Sequence, residues 1–270
     1  MLENIKKSTD FINNQFSFSP VAGVIAGSGL GGLIKAMDVL HIIKYNGIPG
    51  FPEPTVEGHE GRMVFGHINL KKIVVLQGRY HYYEGYTMEQ VTFPVRILKQ
   101  LGIKYLILTN ASGGLNPDYN PGDLMIHTDH INLMPNPLIG IHHSESGERF
   151  PDMSRPYDSY LNQKIMQIAG KKGMMVHEGC YIGVTGPTYE TPAEYHYYRL
   201  IGGDTVGMST IPEVIIANQM GIRCVAISVI TNSGSKEKNT VTSHKQVLAI
   251  SQKAEPVVSQ LISELVNELN

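Results

Sequence analysis

Six short segments of the sequence combine residue types that could bind an anion or a flat heterocycle. They are Gly27–Gly32, Gly78–Tyr86, Thr109–Leu115, Gly186–Pro192, Val206–Glu213 and Thr231–Ser235. Nearly all of them follow a short apolar run of the kind that forms a buried strand. Ligands of α/β proteins bind at the carboxyl ends of the strands, so we expect these segments to meet around one site.

Three of the segments offer groups for an anion. The first matches GxGxxG and places the Ser28 hydroxyl among backbone amides, although a tight structural turn would explain it equally well. Side chains alternate along an extended chain, so Arg79, His81 and Tyr83 would share one side, where Arg and His suit a phosphate. The alternative is a surface strand whose arginine pairs with a carboxylate. Ser209 directly precedes a predicted helix start, which favours anions.

Other residues could recognise a heterocyclic base. Tyr189 can stack on a flat ring, Glu190 can accept from a ring N–H group, and the Asn232 amide can donate and accept. Simpler alternatives exist, since Glu190 could complement a helix N-terminus and Asn232 could form an Asx turn. Met208 could fill the core or line a pocket. His244 could contact a ligand or be merely exposed.

The elements that must position these residues alternate between strands and helices, which predicts α/β architecture. A helix is expected before Pro20. The predicted strands are Val21–Ala26, Met63–Ile68, Ile73–Leu76, Tyr105–Thr109, Leu124–His127, Gly179–Val184 and Val225–Ile230. Capping boxes are predicted at Thr191 and Thr210, with weaker ones at Thr87 and Ser243. The last helix should run from about Ser243 to Leu269, with a kink or break near Glu255 because Pro256 follows.

Composition excludes several classes of protein. The 270 residues carry 22 Lys and Arg against 24 Asp and Glu, a net charge of −2, so no nucleic-acid or membrane partner is expected. The two cysteines form no CxxC pair, and no His, Cys or Asp cluster has metal-ligand spacing. The N-terminus has no apolar segment typical of a signal peptide, so we expect a soluble cytoplasmic protein.

Taken in order, the six segments closely resemble those of purine nucleoside phosphorylases of the trimeric class, from about Val21 to the final helix. The resemblance implies one α/β domain over residues 1–270, with its core at about 20–268. It also implies a mixed sheet, partly closed into a barrel and flanked by helices. The implied reaction is reversible phosphorolysis of inosine, guanosine and their 2′-deoxy forms to free base and (deoxy)ribose 1-phosphate. Inorganic phosphate would be a co-substrate, with no metal or organic cofactor.

The same resemblance implies a role for each site residue. The phosphate site would comprise Ser28, His59, Arg79, His81, the Ala111 N–H and Ser209. The ribose contacts would be Tyr83, Met208, His244 and Phe150, the last reaching a neighbouring site in a homotrimer. The base contacts would be Tyr189, Glu190 and Asn232, and the catalytic groups Glu190, Asn232 and His81. Two departures from the family are Tyr189, where many relatives carry phenylalanine, and the unmatched loop from Ser233 to Val241.

Three rival functions can be weighed against these residues. A 5′-methylthioadenosine phosphorylase would share the fold but resembles this chain less, because that family carries aspartate at the position of Asn232. A dinucleotide oxidoreductase needs an acidic residue about 20 positions after the glycine loop, and the segment Val39–Asn46 ends without one. A non-catalytic purine- or phosphate-binding module would not need both the phosphate-binding and the base-binding residues.

Overall fold

The computed structural model describes residues 1–53, 55–56, 58–233 and 242–270 of the chain. Its helices are α1 (Leu2–Gln15), α2 (Met88–Gln100), α3 (Ser159–Lys172), α4 (Pro192–Leu200), α5 (Ile211–Gln219) and α6 (His244–Asn267). Its strands are β1 (Ala22–Ala26), β2 (Asp38–Lys44), β3 (Arg62–Ile68), β4 (Lys71–Gln77), β5 (Tyr105–Gly114), β6 (Leu124–Asn132), β7 (Val176–Gly183), β8 (Thr205–Gly207) and β9 (Arg223–Ser233). Apart from Ser233, the unmatched loop Ser233–Val241 is outside the described residues.

The described strands form one mixed sheet in the order β2-β3-β4-β1-β5-β8-β7-β6-β9, and β9 also pairs with β5. That additional pairing closes the last five strands into a barrel, while the first four remain an open sheet. The predicted α/β fold with a partly closed mixed sheet is therefore confirmed.

Helices cover both faces of the sheet because the strands are apolar on both sides. On one face α1, α2 and α5 bury side chains such as Ile12, Leu98 and Val214. On the other face α3 and α6 bury Leu161 and Leu265, among others, against the barrel strands. Two continuous hydrophobic layers thus hold the central strands in place, and burial of each large aliphatic side chain contributes about 1.5–3 kcal/mol.

All seven predicted strands are present, but their bounds differ and two strands were missed. Strand β2 is an edge strand whose apolar residues are interrupted by His41, and Val39, Leu40 and Ile42 are exposed. Strand β8 has only three residues. Strand β5 continues to Gly114, beyond the predicted end at Thr109. The last helix is continuous through Pro256, so no break occurs there.

Capping explains most of the helix starts. Thr87, Thr191 and Ser243 each cap a helix through a reciprocal capping box, as predicted. The box predicted at Thr210 is wrong, because its side chain makes no capping bond and its φ is +70°. The Glu213 carboxylate accepts from the Thr210 main chain but also binds a buried arginine.

The topology also excludes the dinucleotide-binding alternative. In that fold, the strand after the glycine loop would lie parallel beside the first strand. Here the next strand is β2, which pairs antiparallel with β3 at the far edge of the sheet.

Candidate active site

The carboxyl ends of four mutually parallel strands meet at one edge of the sheet. Strand β1 pairs in parallel with β4 and β5, and β5 pairs in parallel with β9. Ser28 follows β1, Arg79 follows β4, Ala111 is in β5 and Asn232 is near the end of β9. The expected convergence of these segments is therefore observed.

A single cleft collects almost all of the residues selected from the sequence. It is lined by Ser28, Arg79, His81, Tyr83, Ala111, Tyr189, Glu190, Met208, Ser209, Asn232 and His244, together with neighbouring residues of the same segments. His59 and Phe150 are not among its lining residues. Anion-binding and base-recognising candidates thus share one space, with the ribose candidates beside them.

Arg79 is held almost entirely by protein contacts. It is 3% exposed, and its Nε donates to Glu213 Oε1 at 3.2 Å. Its Nη1 donates to the Thr109 carbonyl at 2.7 Å and to Ser209 Oγ at 3.3 Å. Its Nη2 is buried without a partner. Because an unpaired buried donor is unfavourable, an anion in the cleft would satisfy it.

Glu213 is the counter-charge of that arginine and was missed as a site residue. It is 2% exposed, burial raises the pKa of its carboxyl, and the Arg79 charge opposes that rise. The sequence identified Glu213 only as a helix-capping residue. The signal that could have identified it was the need of a buried arginine for a carboxylate.

His59 lies behind the cleft and supports two residues of the anion end. Its Nε2 is 3.1 Å from Ser28 Oγ, and its Nδ1 contacts the main chain of Arg79. Burial, with the nearby His81 and Arg79, lowers the pKa of His59 to about 3, so this imidazole is neutral. Position 27, before Ser28, has no room for a side chain, since a Cβ there would lie 2.7 Å from the Thr109 carbonyl oxygen.

His81 is oriented by Glu84, a second residue that sequence reasoning missed. Its Nδ1 is 2.9 Å from Glu84 Oε1, and its main-chain N–H donates to the same oxygen. Partial burial disfavours the Glu84 carboxylate, but hydrogen bonds from His81 and Thr55 outweigh it and lower its pKa to about 2. Burial lowers the pKa of His81 itself. The ring therefore has its Nδ1 directed at a carboxylate, which leaves Nε2 for the cleft.

Strand β5 has a gap in its ladder at the anion end. One edge pairs with β1 up to Leu108 and with β8 from Gly113. Between these pairings the Thr109 carbonyl accepts from Arg79. Main-chain groups two residues apart face the same edge of a strand, so the Ala111 N–H faces this gap as well.

The base end is a connected set of three side chains. Asn232 Nδ2 donates to the Tyr195 hydroxyl at 2.8 Å, and that hydroxyl is also hydrogen-bonded to the Glu190 carboxylate. Burial raises the pKa of Glu190, and the Tyr195 contact partly offsets the rise. Tyr195 was missed because it is inside α4, where a tyrosine is not a motif residue.

Three of the four ribose candidates line the same cleft. The His81 and Tyr83 rings are stacked with centroids 4.7 Å apart. Met208 packs against Gly186, where a Cβ would lie 2.3 Å from the methionine sulfur. His244 is the first residue of α6 and is close enough to His81 to lower its pKa.

Phe150 projects from a loop away from this cleft. Its side chain is 88% exposed, and the nearby Ile139 and Ile141 are 81% and 88% exposed. Phe150 and Ile139 border a separate, largely apolar hollow. Exposed apolar side chains grouped in this way are typical of an interaction surface.

Neither a membrane-spanning helix nor a cluster of metal-ligating side chains is found among the described residues. None of the described helices has the length and apolar character needed to cross a membrane. In the same part of the chain, no group of three or more His, Cys, Asp or Glu side chains is arranged to hold a metal ion.

Comparison with known proteins identifies the family. The family model of the phosphorylase superfamily matches residues 22–267. Purine nucleoside phosphorylase 1 of Bacillus subtilis is 45% identical over 98% of this chain and 98% of its own. The purine nucleoside phosphorylase of Schistosoma mansoni has the same fold in its complexes with adenosine and with inosine. Both give a TM-score of 0.94 and cover all of this chain, at 40% and 38% identity and over 98% and 97% of the other chain.

The chain belongs to the phosphorylase superfamily. Within that superfamily it groups with the purine nucleoside phosphorylases, which confirms the resemblance inferred from the six motifs. The implied enzyme class, a purine nucleoside phosphorylase that transfers a pentosyl group, is confirmed with it.

Proposed function

We propose that this enzyme catalyses the reversible phosphorolysis of inosine, guanosine and their 2′-deoxy forms, with inorganic phosphate as co-substrate and no metal or organic cofactor. One observation carries the proposal. A buried arginine N–H without a partner lies in the same cleft as a carboxylate and a carboxamide that can recognise a 6-oxopurine. These groups fit the two products, a sugar phosphate and a free base.

The anion end would bind phosphate through Arg79, Ser28, Ser209, His81 and the Ala111 N–H. These donors are already positioned by protein contacts, so little reorganisation is required on binding. His59 would act from behind by holding Ser28 and Arg79 in place. A dianion bound here would face the ribose and stabilise the positive charge that develops on it.

Bond cleavage needs opposite charges at the two ends of the cleft. The C1′–N9 bond breaks, its electron pair moves into the purine ring, and a phosphate oxygen forms the new bond to C1′. Asn232 would donate to N7 of the departing base, and Glu190 would accept from N1–H. A donor of this kind is typically worth about 3–4 kcal/mol in the transition state.

Tyr83, Met208 and His244 would hold the ribose, and Tyr189 would stack on the base. Tyr189 is 39% exposed, which leaves one ring face accessible at the mouth of the cleft. Many relatives carry phenylalanine at this position. We expect the difference to have a mild effect on base binding, because stacking needs only the ring.

The base end should discriminate against adenosine. An ionised Glu190 accepts from N1–H of a 6-oxopurine but repels the bare N1 lone pair of adenine, and the neutral Asn232 can donate to N7 and O6. Unpaired buried polar groups allow discrimination of roughly 10⁴–10⁵ in favourable sites. Because a relative with 40% identity was solved in complex with adenosine, binding alone does not separate the substrates. Turnover must be compared.

The decisive experiment is a coupled assay of base release from inosine, with and without phosphate, against adenosine and methylthioadenosine. Phosphate-dependent cleavage of inosine with poor cleavage of the other two is the expected result. Preferential cleavage of methylthioadenosine would favour the alternative phosphorylase. Near-equal efficiencies for inosine and adenosine would contradict the roles of Glu190 and Asn232.

We further propose a cytoplasmic homotrimer in which residues 20–268 form the catalytic core and Phe150 of the partner subunit covers the ribose. The exposed apolar surface around Phe150 supports this arrangement. Sedimentation should give about three times the 29.8 kDa of one chain. Phe150→Ala should raise the KM for inosine but leave that for phosphate unchanged. A fully active monomer would contradict the proposal.

A further inference from the structure

A line of buried polar side chains crosses the interior of the barrel and ends at the candidate phosphate site. It contains His127 on β6, Ser228 on β9 and Asn110 on β5, all essentially inaccessible to solvent. His127 is not among the residues that line the cleft. Burying several polar groups inside a barrel is unfavourable unless each has a partner, so the pattern of their hydrogen bonds is informative.

The distances make the line continuous. His127 Nε2 is 2.7 Å from Ser228 Oγ, which donates to Asn110 Oδ1 at 2.8 Å. Asn110 Nδ2 donates to Thr210 Oγ1 at 2.9 Å, and Thr210 Oγ1 is 3.1 Å from Ser209 Oγ. Asn110 and Ser228 are also register partners in the β5–β9 ladder, so their side chains are held side by side.

The direction of each bond follows from the one before it. A hydroxyl has one proton, so Ser228, which donates to Asn110, must accept from His127. His127 therefore has its proton on Nε2, and its Nδ1 lies 3.3 Å from the Tyr157 hydroxyl, which is also 3.1 Å from His130 Nδ1. Burial lowers the pKa of His127 to about 3, so the ring is neutral and has a single N–H.

At the other end, the Thr210 hydroxyl accepts from the Asn110 amide, and Ser209 Oγ, 3.1 Å away, is the acceptor that its described contacts offer for its own proton. Ser209 Oγ then accepts from Thr210 and from Arg79 Nη1. Both acceptor positions of Ser209 Oγ are then occupied by protein donors, so the Ser209 hydroxyl proton points into the cleft. Thr210 has a φ of +70°, which is uncommon for a residue with a Cβ, and its hydroxyl lies beside that of Ser209.

We propose that these hydrogen bonds, starting at His127, fix the Ser209 hydroxyl as a donor toward the bound phosphate. His127, Ser228 and Asn110 are thus positioning residues for the reaction. The inference rests on the proposed function, in which Ser209 binds phosphate. It adds that the orientation of this contact is set some distance away, inside the barrel.

The opposite arrangement is chemically possible and makes the inference testable. If the Asn110 amide were rotated by 180°, Thr210 would donate to its oxygen and Ser209 would donate to Thr210. The phosphate would then meet a lone pair of Ser209 instead of a proton. In that arrangement Ser228 donates to His127 Nε2, and the imidazole proton is on Nδ1.

The first experiment needs no disabling substitution. In ¹⁵N-labelled wild-type enzyme, the tautomer of His127 is determined by two-bond nitrogen–proton correlation, and its signals are assigned by their loss in His127→Phe. The phenylalanine ring keeps the stacking on Tyr181, 4.6 Å away, so the fold should be retained. A neutral Nε2–H tautomer is expected. An Nδ1–H tautomer or an imidazolium overturns the proposal.

The second experiment is steady-state kinetics of Ser228→Ala, with Ser146→Ala as a matched control. Ser146 is a buried serine whose Oγ has no hydrogen-bond partner, and it does not line the cleft. Without Ser228 the Asn110 amide is free to rotate, so the KM for phosphate should rise about tenfold, as expected for one lost charge-assisted hydrogen bond. The KM for inosine should stay within about twofold, and the control should change neither.

The outcomes separate this inference from the proposed function. If the wild-type enzyme shows no phosphate-dependent cleavage of inosine, the proposed function fails. If it does, and Ser228→Ala keeps its KM for phosphate, the relay is wrong while the function stands. Equal increases in both KM values would indicate a structural role only and would also overturn it. Should Ser228→Ala fail to fold, His127→Phe gives the same kinetic comparison.

Discussion

The two ends of the cleft are built differently. At the phosphate end, carboxylates that do not line the cleft hold two of the donors, since Glu213 holds Arg79 and Glu84 holds His81. At the base end, Glu190 and Asn232 are linked to each other through Tyr195 and have fewer partners in the surrounding protein. The phosphate end is therefore preorganised, whereas the base end can adjust when one member changes. Substitutions at the first should abolish binding, and substitutions at the second should alter specificity.

The largest effect is expected for Arg79→Ala. The KM for phosphate should rise about 100-fold or more, since a buried charged donor is lost, while the KM for inosine changes little. The variant also leaves the Glu213 carboxylate buried without its counter-charge, a change that typically destabilises a protein by about 3–5 kcal/mol.

A double variant separates binding from folding. Adding Glu213→Gln to Arg79→Ala should restore much of the melting temperature, because the uncompensated charge is removed, but not the affinity for phosphate. Unchanged phosphate dependence in Arg79→Ala would mean that the anion site has been misplaced.

The next effect tests the base end through Asn232→Asp. A carboxylate at this position cannot donate to N7 or O6, but it can accept from the 6-amino group of adenine. We expect the ratio of kcat/KM for inosine to that for adenosine to fall about 100-fold, mostly through loss of inosine turnover. The KM for phosphate is the internal control and should stay constant, since Asn232 contacts none of the residues assigned to phosphate.

The link between the two base residues is tested by Tyr195→Phe. Removing one hydroxyl frees the Asn232 amide and the Glu190 carboxylate together, so the KM for inosine should rise about tenfold. Tyr197→Phe, on the same helix and 52% exposed, is a matched control that should have no effect. An unchanged KM in Tyr195→Phe would show that each base residue is positioned independently.

The acid side of the pH profile should report on Glu190. The carboxyl must be ionised to accept from N1–H, and burial raises its pKa above the ordinary value of 4.5. As the pH falls, kcat/KM for inosine should therefore decline at a higher pH than an ordinary glutamate would give. Glu190→Gln should lower activity and remove this limb, and a limb that persists in that variant belongs to another group.

The smallest expected effect concerns His244, which lines the same cleft. If it donates to the ribose 5′-hydroxyl, His244→Ala should reduce kcat/KM for inosine several-fold, the value of one neutral hydrogen bond. The same substitution should have little effect on 5′-deoxyinosine. Equal losses on both substrates would assign the histidine a structural role.

The sequence predicted the elements whose signals are local. Capping at Thr87, Thr191 and Ser243 and the apolar runs of the central strands needed no tertiary information. Strand β2 was missed because His41 interrupts its apolar residues. The Thr210 cap was wrong because the Thr210 hydroxyl bonds to Asn110 and Ser209 instead of the helix main chain.

The sequence predicted the residues that line the cleft better than the residues that support them. Ser28, Arg79 and Asn232 lie in motifs that follow predicted strands, so their convergence could be expected from that position alone. Glu213 lies 134 positions from Arg79, and Tyr195 lies 37 positions from Asn232, so each becomes a partner only through packing. Such contacts depend on the register between elements, which no local pattern specifies.

The gap in the ladder of β5 has a consequence for amide hydrogen exchange. The amides of Leu106, Ile107 and Leu108 lie between β1 and β9 under both hydrophobic layers, so they should exchange only on global unfolding. Three residues on, the Ala111 amide faces no strand and should exchange with solvent at a far lower opening free energy. Phosphate bound in this gap would protect the Ala111 amide. The exchange rate at Ala111, followed as phosphate is added, therefore measures occupancy of the anion site in an enzyme that is not turning over.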